Sequence, residues 1–261
     1  MQVENYVKPK SLDEAYEILN SQKGAQIIGG GLFSRISSKK ISTGIDLFDL
    51  GLNYVDSVNG HINIGSMTTF GQMESSPILK KYHDGLLLDS IKDVVGTAFK
   101  NMATIGGTVF GRYGFSESLT ALLALGARVA LYKGGEVSLE DYLDKKSRQR
   151  DIITKIIVPK APFGVYKSFK NSYGDFPILT LVLANDGSKY SLAVGARPKV
   201  ARLAKKSALI LNEGEITKKQ VDKISQSVLE ELDFGKDTRA SKEYRQEICK
   251  VLVKRAVLKE D

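Results

Sequence analysis

The sequence predicts a mixed α/β (α+β) protein in two parts, and three observations carry that prediction. Short β-rich runs alternate with amphipathic helical patterns through about residue 163, with no internal repeat. Near Pro159, Pro162 and Gly164 the pattern changes to strands followed by helices, the order of a smaller α+β domain, so the parts are expected to span 1–163 and 164–261. A chain of 261 residues that is 42% apolar is long enough to bury a sizeable core.

The first helix is marked by Ser11, placed to cap it, and by Glu14, three residues on, as the other half of a capping box. Leu12, Ala15, Tyr16 and Leu19 share one face of it until Gly24. Residues 25–28 read as a short buried strand that runs straight into Gly29, Gly30 and Gly31. Strands are expected at 44–50 and 61–65, and Thr68 is expected to cap a short helix through Met73. Residues 86–100 read as one longer helix that delivers the chain into a second glycine junction, Ala103-Thr104-Ile105-Gly106-Gly107-Thr108. A helix over 116–125 closes at Gly126 and is followed by a strand at 128–132. In the second part, strands are predicted at 165–170, 179–185 and 190–195, then helices at 201–211, 218–232 and 242–259.

Composition narrows the chemistry. The lone Cys249 cannot build an iron–sulfur cluster or a four-cysteine zinc site, and His61 and His83 cannot form a three-histidine site, so redox chemistry must come from a borrowed cofactor. Cys249 falls inside a helical pattern, where a buried inert thiol is expected. The formal charge is +8, yet residues 1–132 are balanced at 12 basic and 12 acidic groups. The excess beyond them is dispersed and lacks interleaved stacking aromatics, which describes a solvated face; no nucleic-acid partner is expected. The start MQVENYVKPK has no apolar core of signal-peptide type, and no stretch reaches the length of a membrane span, so a cytoplasmic setting is expected.

Glycine-rich turns present backbone N–H groups to a phosphate without a side chain in the way, and glycine tolerates the positive φ that such turns need. Both junctions fit that use, and both also fit tight turns without a ligand. The first, G-G-G-L-F-S, is a Rossmann fingerprint with Ser34 in place of the last glycine; the second lacks the Lys-Ser or Lys-Thr of a P-loop.

The order of features resembles the FAD-binding subunit of molybdenum hydroxylases, the xanthine dehydrogenase and carbon monoxide dehydrogenase relatives, in a divergent purine-hydroxylase-type form. The matching stretches include Ile45-Asp46-Leu47, Ile64-Gly65-Ser66-Met67-Thr68-Thr69, Asn101 to Gly107, Gly174-Asp175-Phe176-Pro177, and Asp237-Thr238-Arg239-Ala240-Ser241 with Tyr244-Arg245. The resemblance implies an FAD-binding domain of the PCMH type followed by a C-terminal domain of the molybdenum hydroxylase flavoprotein type. It implies noncovalent FAD, in keeping with glycine loops that carry neither histidine nor cysteine. By position it carries one FAD loop onto Ile27, Ile28, Gly29, Gly30, Gly31, Leu32, Phe33 and Ser34, and the other onto Thr104, Ile105, Gly106, Gly107 and Thr108. Glu117 stands where the family usually has aspartate, Lys167 at a cofactor-contacting lysine, and Phe176 at an aromatic position beside the flavin.

The implied function is electron transfer from an iron–sulfur partner to NAD or another acceptor. The molybdenum cofactor would sit on a large subunit and the 2Fe-2S clusters on a small one, with no catalytic residue and no metal on this chain. Departures are Gly31 and Leu32 after the first glycines, and Thr108, Phe110 and Arg112 after the second. Arg112 could pair with a phosphate, pair with Glu117 or face solvent. Two rivals remain at this stage: a free-standing FAD-dependent oxidoreductase, with Lys170, Tyr173 and Asp175 as candidate acid or base, and a nonredox subunit that has lost FAD.

Overall fold

A computed structural model describes residues 2–82, 85–94, 96–145, 150–161, 163–213 and 217–259; His83 and Pro162 lie outside them. The chain opens with strand β1 (Gln2–Val7), helix α1 (Leu12–Ser21), β2 (Ala25–Ile28) and β3 (Lys40–Asp46), then a 3-10 turn at Phe48–Leu50. Next come β4 (Val55–Val58), β5 (His61–Gly65) and five short helices: α2 (Phe70–Ser75), α3 (Pro77–Lys80), α4 (Leu86–Lys92), α5 (Thr97–Lys100) and α6 (Ile105–Gly111). They are followed by α7 (Glu117–Ala124), β6 (Arg128–Leu131), β7 (Gly135–Ser138), α8 (Leu139–Asp144) and β8 (Ile153–Pro159). The last stretch holds β9 (Phe163–Phe169), β10 (Leu179–Asn185), β11 (Tyr190–Gly195), β12 (Arg202–Leu203), α9 (Lys205–Leu211), α10 (Lys218–Glu231) and α11 (Lys242–Leu258).

Two compact units result, and neither is continuous in sequence. The first comprises Met1–Ile78, Val95–Gly111 and Arg128–Val158; the second comprises Leu79–Val94, Arg112–Ala127 and Pro159–Asp261. In the first unit a three-stranded parallel sheet, ordered β1-β3-β2, accompanies a five-stranded sheet ordered β4-β5-β8-β6-β7. Ala15 and Leu19 of α1 pack with Ala25, Ile45, Leu47, Leu52, Met67 and Ile152 in its core. In the second unit an antiparallel sheet ordered β12-β11-β10-β9 carries α9, α10 and α11 on the face of Leu179, Leu181 and Leu183. Helices α4 and α7 cover the other face, where Thr120 meets Thr180 at 3.0 Å.

Local chemistry explains where the expectations hold and where they shift. Ser11 accepts from the Glu14 N–H at 3.1 Å as a cap should, but the Glu14 carboxylate takes the N–H of Lys10 instead of Ser11. Thr68 does not cap α2. It is buried with its hydroxyl bonded to the Tyr54 backbone on both sides, and Thr69 forms the capping box with Gln72. The single helix expected over 86–100 is two helices, because Gly96 adopts φ +81 between them. Strand β3 starts earlier and ends earlier than expected: it pairs with β1 from Lys40 onward, and the chain turns at Phe48–Leu50. Strand β1 itself has mostly exposed side chains, so no hydrophobic alternation announces it.

Arg245 anchors the second unit. It is fully buried on α11 and donates to the carbonyl oxygens of Ile178 and, at 2.8 Å, Ala196, and to the Asp237 carboxylate. The Arg239 and Ala240 N–H groups and the Arg245 guanidinium hold Asp237 below the usual carboxylate range against its partial burial. Cys249, also buried on α11, has its thiol pushed up to about 12 by burial and is inert at neutral pH. Replacing Arg245 by Met strands two carbonyls and a carboxylate, and is expected to lower stability by about 3–5 kcal/mol. Urea denaturation followed by circular dichroism checks this; a loss below ~1 kcal/mol would mean that the network is dispensable.

Candidate functional site

The two glycine junctions meet in the first unit. Strand β2 ends at Ile28, and the chain leaves it through Gly30 and Gly31, at φ +70 and +72. A Cβ on Gly30 would lie 1.7 Å from the Met102 carbonyl oxygen, so this turn needs glycine both for its backbone angle and for the approach of the second loop. Thr104 ties the junctions together: its hydroxyl donates to the Gly29 carbonyl at 3.3 Å and accepts from the Gly107 N–H at 3.2 Å. The Phe33 ring lies edge-on to Phe99 at 6.2 Å, which seats the turn that follows Gly31.

The two junctions do different work. Gly106 and Gly107 belong to α6 and have no positive φ, contrary to the backbone role expected for them. They are small because space demands it: a Cβ on Gly106 would lie 2.6 Å from both Cβ and the carbonyl oxygen of Ser66, and one on Gly107 would lie 2.8 Å from the Thr104 hydroxyl. The first N–H groups of α6 are also occupied, by Thr68 O for Ile105, Ser66 O for Gly106, the Thr104 hydroxyl for Gly107 and Thr104 O for Thr108. Among the described residues the N–H groups of Gly30, Gly31 and Leu32 have no acceptor, whereas the turn closes on itself through Arg35 N to Gly31 O and Ser37 N to Ser34 O. Three unpaired donors in a glycine turn fit the pyrophosphate of FAD, which offers only acceptors there. A cavity of about 340 Å³ opens beside them, edged by Gly29, Gly106 and Gly107.

The other three implied residues lie in the second unit. Glu117 opens α7, is 9% exposed, accepts from the Tyr166 hydroxyl and pairs with Lys170 at 3.0 Å. Burial outweighs these partners and raises its carboxyl above the usual 4.5, while the Tyr166 hydroxyl is pushed well above its ordinary range by burial and by the adjacent Glu117. Lys167 pairs with Leu181 in the β9–β10 ladder, which puts it on the opposite face of the sheet from Tyr166, Lys170 and Glu117. Phe176 is 38% exposed, with its ring 4.3 Å from that of Phe115 and the Arg239 guanidinium 5.2 Å away. Of the candidate acids and bases, Lys170 is committed to Glu117, Asp175 lies 3.8 Å from Arg239, and Tyr173 is exposed. Arg112, at φ +52, follows α6 directly, and among the described residues the cation paired with Glu117 is Lys170. Sequence reasoning missed Tyr166 as a partner of Glu117, although period-two spacing puts Tyr166 and Ser168 on one face of β9, with Lys170 in phase just past its end.

The chain matches known proteins along nearly its whole length. Residues 1–161 match the FAD binding domain in molybdopterin dehydrogenase, and residues 164–259 match the CO dehydrogenase flavoprotein C-terminal domain. The chain belongs to the molybdopterin dehydrogenase FAD-binding family. Its relatives include the nicotine 6-hydroxylase medium subunit of Paenarthrobacter nicotinovorans, 23% identical over 97% of this chain and 95% of that one. The glyceraldehyde dehydrogenase medium chain of Sulfolobus acidocaldarius is 25% identical over 97% and 96%. A solved carbon monoxide dehydrogenase from Hydrogenophaga pseudoflava superposes with a TM-score of 0.88 at 21% identity, over 97% of this chain and 96% of that one, which establishes the fold. This member of the family therefore carries an FAD-binding domain and a mixed α/β architecture with a smaller second part. Among the described residues no helix is long and apolar enough to cross a membrane.

Protonated Glu117 stabilises the fold fully below the usual carboxylate value of 4.5, and that contribution is lost as pH rises through its raised value in the folded state. Glu117→Gln, which cannot titrate, should therefore gain stability relative to the parent chain as pH climbs out of the acid range. Denaturant midpoints of both proteins across pH test this. A parent chain that gains on the variant with rising pH would show that Lys170, not burial, dominates the site.

Proposed function

We propose that this chain is the FAD-binding medium subunit of a molybdenum hydroxylase complex of the xanthine dehydrogenase-like type. It passes electrons from a 2Fe-2S small subunit to NAD or another soluble acceptor, while a large subunit holds the molybdenum cofactor and oxidises the substrate. The observation that carries the reading is the first glycine turn, with unpaired N–H groups at Gly30, Gly31 and Leu32 beside a cavity. The medium subunits among its relatives support the assembly.

Bound FAD would supply reversible electron transfer, and the protein's task is to hold and orient it. The Gly30–Leu32 amides bind the pyrophosphate. Thr104, Gly106 and Gly107 act behind that turn: they let α6 and the Met102 carbonyl approach closely enough to fix it, so the second loop is a support more than a donor. Glu117, Lys167 and Phe176 are carried as further cofactor contacts on resemblance; for Lys167 the opposite face of the sheet makes mutation the necessary test.

Gly31→Val separates cofactor binding from folding. A Cβ there would meet only Ile28 Cγ2, at 3.7 Å, so the cost is the left-handed backbone, about 1–2 kcal/mol. A turn that re-forms displaces the amides, and one that persists sets a branched side chain beside them in the way of a phosphate, so both weaken cofactor binding. The variant should purify folded and colourless, and one as yellow as the parent chain would refute the pyrophosphate assignment.

Direction of electron flow gives a second test. The isolated yellow chain should keep its flavin absorbance when mixed with purines, aldehydes or carbon monoxide, and reduction by substrate should require the assembled complex. Rapid bleaching of the isolated chain would instead favour a free-standing flavoenzyme.

A further inference from the structure

Two contacts of the buried Arg245 bring a cation and an aromatic ring together. Its guanidinium donates to the Ile178 carbonyl, two residues after Phe176, and to the Asp237 carboxylate, two residues before Arg239. Asp237 in turn closes a tight turn: its carboxylate accepts the N–H of Arg239 at 2.8 Å and of Ala240 at 3.2 Å, and its own N–H donates to Ala240 O. The Arg239 side chain leaves that fixed turn and lays its guanidinium 5.2 Å from the centre of the Phe176 ring. The Phe115 ring, itself stacked on Tyr113 at 5.2 Å, meets Phe176 at 4.3 Å. The segment leading to the ring is folded on itself, with the Asp175 N–H on Ser172 O and the Phe176 N–H on the Asp175 carboxylate.

Stability does not account for Arg239. It is 33% exposed, and its approaches to Asp175 at 3.8 Å and to Asp237 at 3.9 Å are too long for hydrogen bonds. Such screened pairs contribute little to folding. What the arrangement accomplishes is orientation. A planar guanidinium lies against an aromatic face and answers carboxylates at its rim, which a compact ammonium does less well. Together with Phe115 it restrains a ring that is otherwise half-open to solvent. Resting on the reading of Phe176 as a cofactor contact, we propose that Arg239 is a positioning residue for FAD, one that holds the Phe176 ring ready for the flavin and acts on the cofactor only through that ring. The line of anchors runs from buried Arg245 through Asp237 and Arg239 to the open ring, all within the second unit.

The test uses the full chain, titrated with FAD by calorimetry and read by the visible circular dichroism of the bound flavin. Arg239→Met should weaken FAD by roughly two- to fivefold, the size of one partly exposed cation–π contact, and should alter the dichroism. The melting temperature of its flavin-free form should match that of the parent chain. Arg239→Lys, which keeps the charge and loses the plane, should recover part of both losses. Phe176→Leu should weaken FAD at least as much as Arg239→Met, and the double variant should bind no worse than Phe176→Leu alone, because the cation acts through the ring. Losses that add in the double variant would overturn the positioning role, as would an unchanged affinity and spectrum in Arg239→Met beside a changed Phe176→Leu; both leave the Phe176 contact standing. A flavin-free melting temperature that drops in Arg239→Met would assign the residue to the fold instead. No effect of Phe176→Leu would remove Phe176 from the cofactor, and the proposal with it.

Discussion

The close approach of two backbones, Gly30 against the Met102 carbonyl, is the constraint on which the proposed cofactor site depends. No side chain fits between them, and no L residue holds φ near +70 at two successive positions without strain. With those two demands met, β2 delivers a turn whose N–H groups find no acceptor among the described residues, while Thr104 and the start of α6 brace it. The arrangement follows a general tendency of parallel strands to present ligands at their carboxyl ends, here the end of β2 in the β1-β3-β2 sheet.

Glycine therefore serves two physical purposes in one site. In the first turn it provides backbone angles that free the donors; in α6 it provides room, because Ser66 and Thr104 occupy the space a Cβ would need. The division also explains why the second junction carries no phosphate-binding signature of its own. Its amides are already bonded to Thr68, Ser66 and Thr104, so the contribution proposed for it is rigidity.

Much of this was legible in the residues, for identifiable reasons. Ala25–Ile28 is a short β-type run bounded by glycine, His61–Gly65 alternates polar with apolar residues before its glycine, and α7 begins after Ser116, whose hydroxyl accepts from the Leu119 N–H. What could not be read depends on partners distant in sequence. Strand β1 exists because β3 pairs with it, Thr68 turns inward because the Tyr54 backbone is there, and Gly96 breaks a run of helix-compatible residues by its backbone angle alone. The site shows the same limit: the two loops were visible as motifs, but the pairing of Glu117 with Tyr166 and Lys170 emerges only from packing.

The division of labour between the loops can be measured amide by amide. Hydrogen exchange on the full chain, with and without FAD, separates donors that wait for a ligand from donors already bonded inside the protein. On this account the Gly30, Gly31 and Leu32 amides exchange freely without FAD and become protected when it binds, while those of Ile105, Gly106 and Gly107 are protected in both states. If the α6 amides were the ones that gained protection, and the first turn stayed open, the pyrophosphate would be held by the second loop and the account would be wrong.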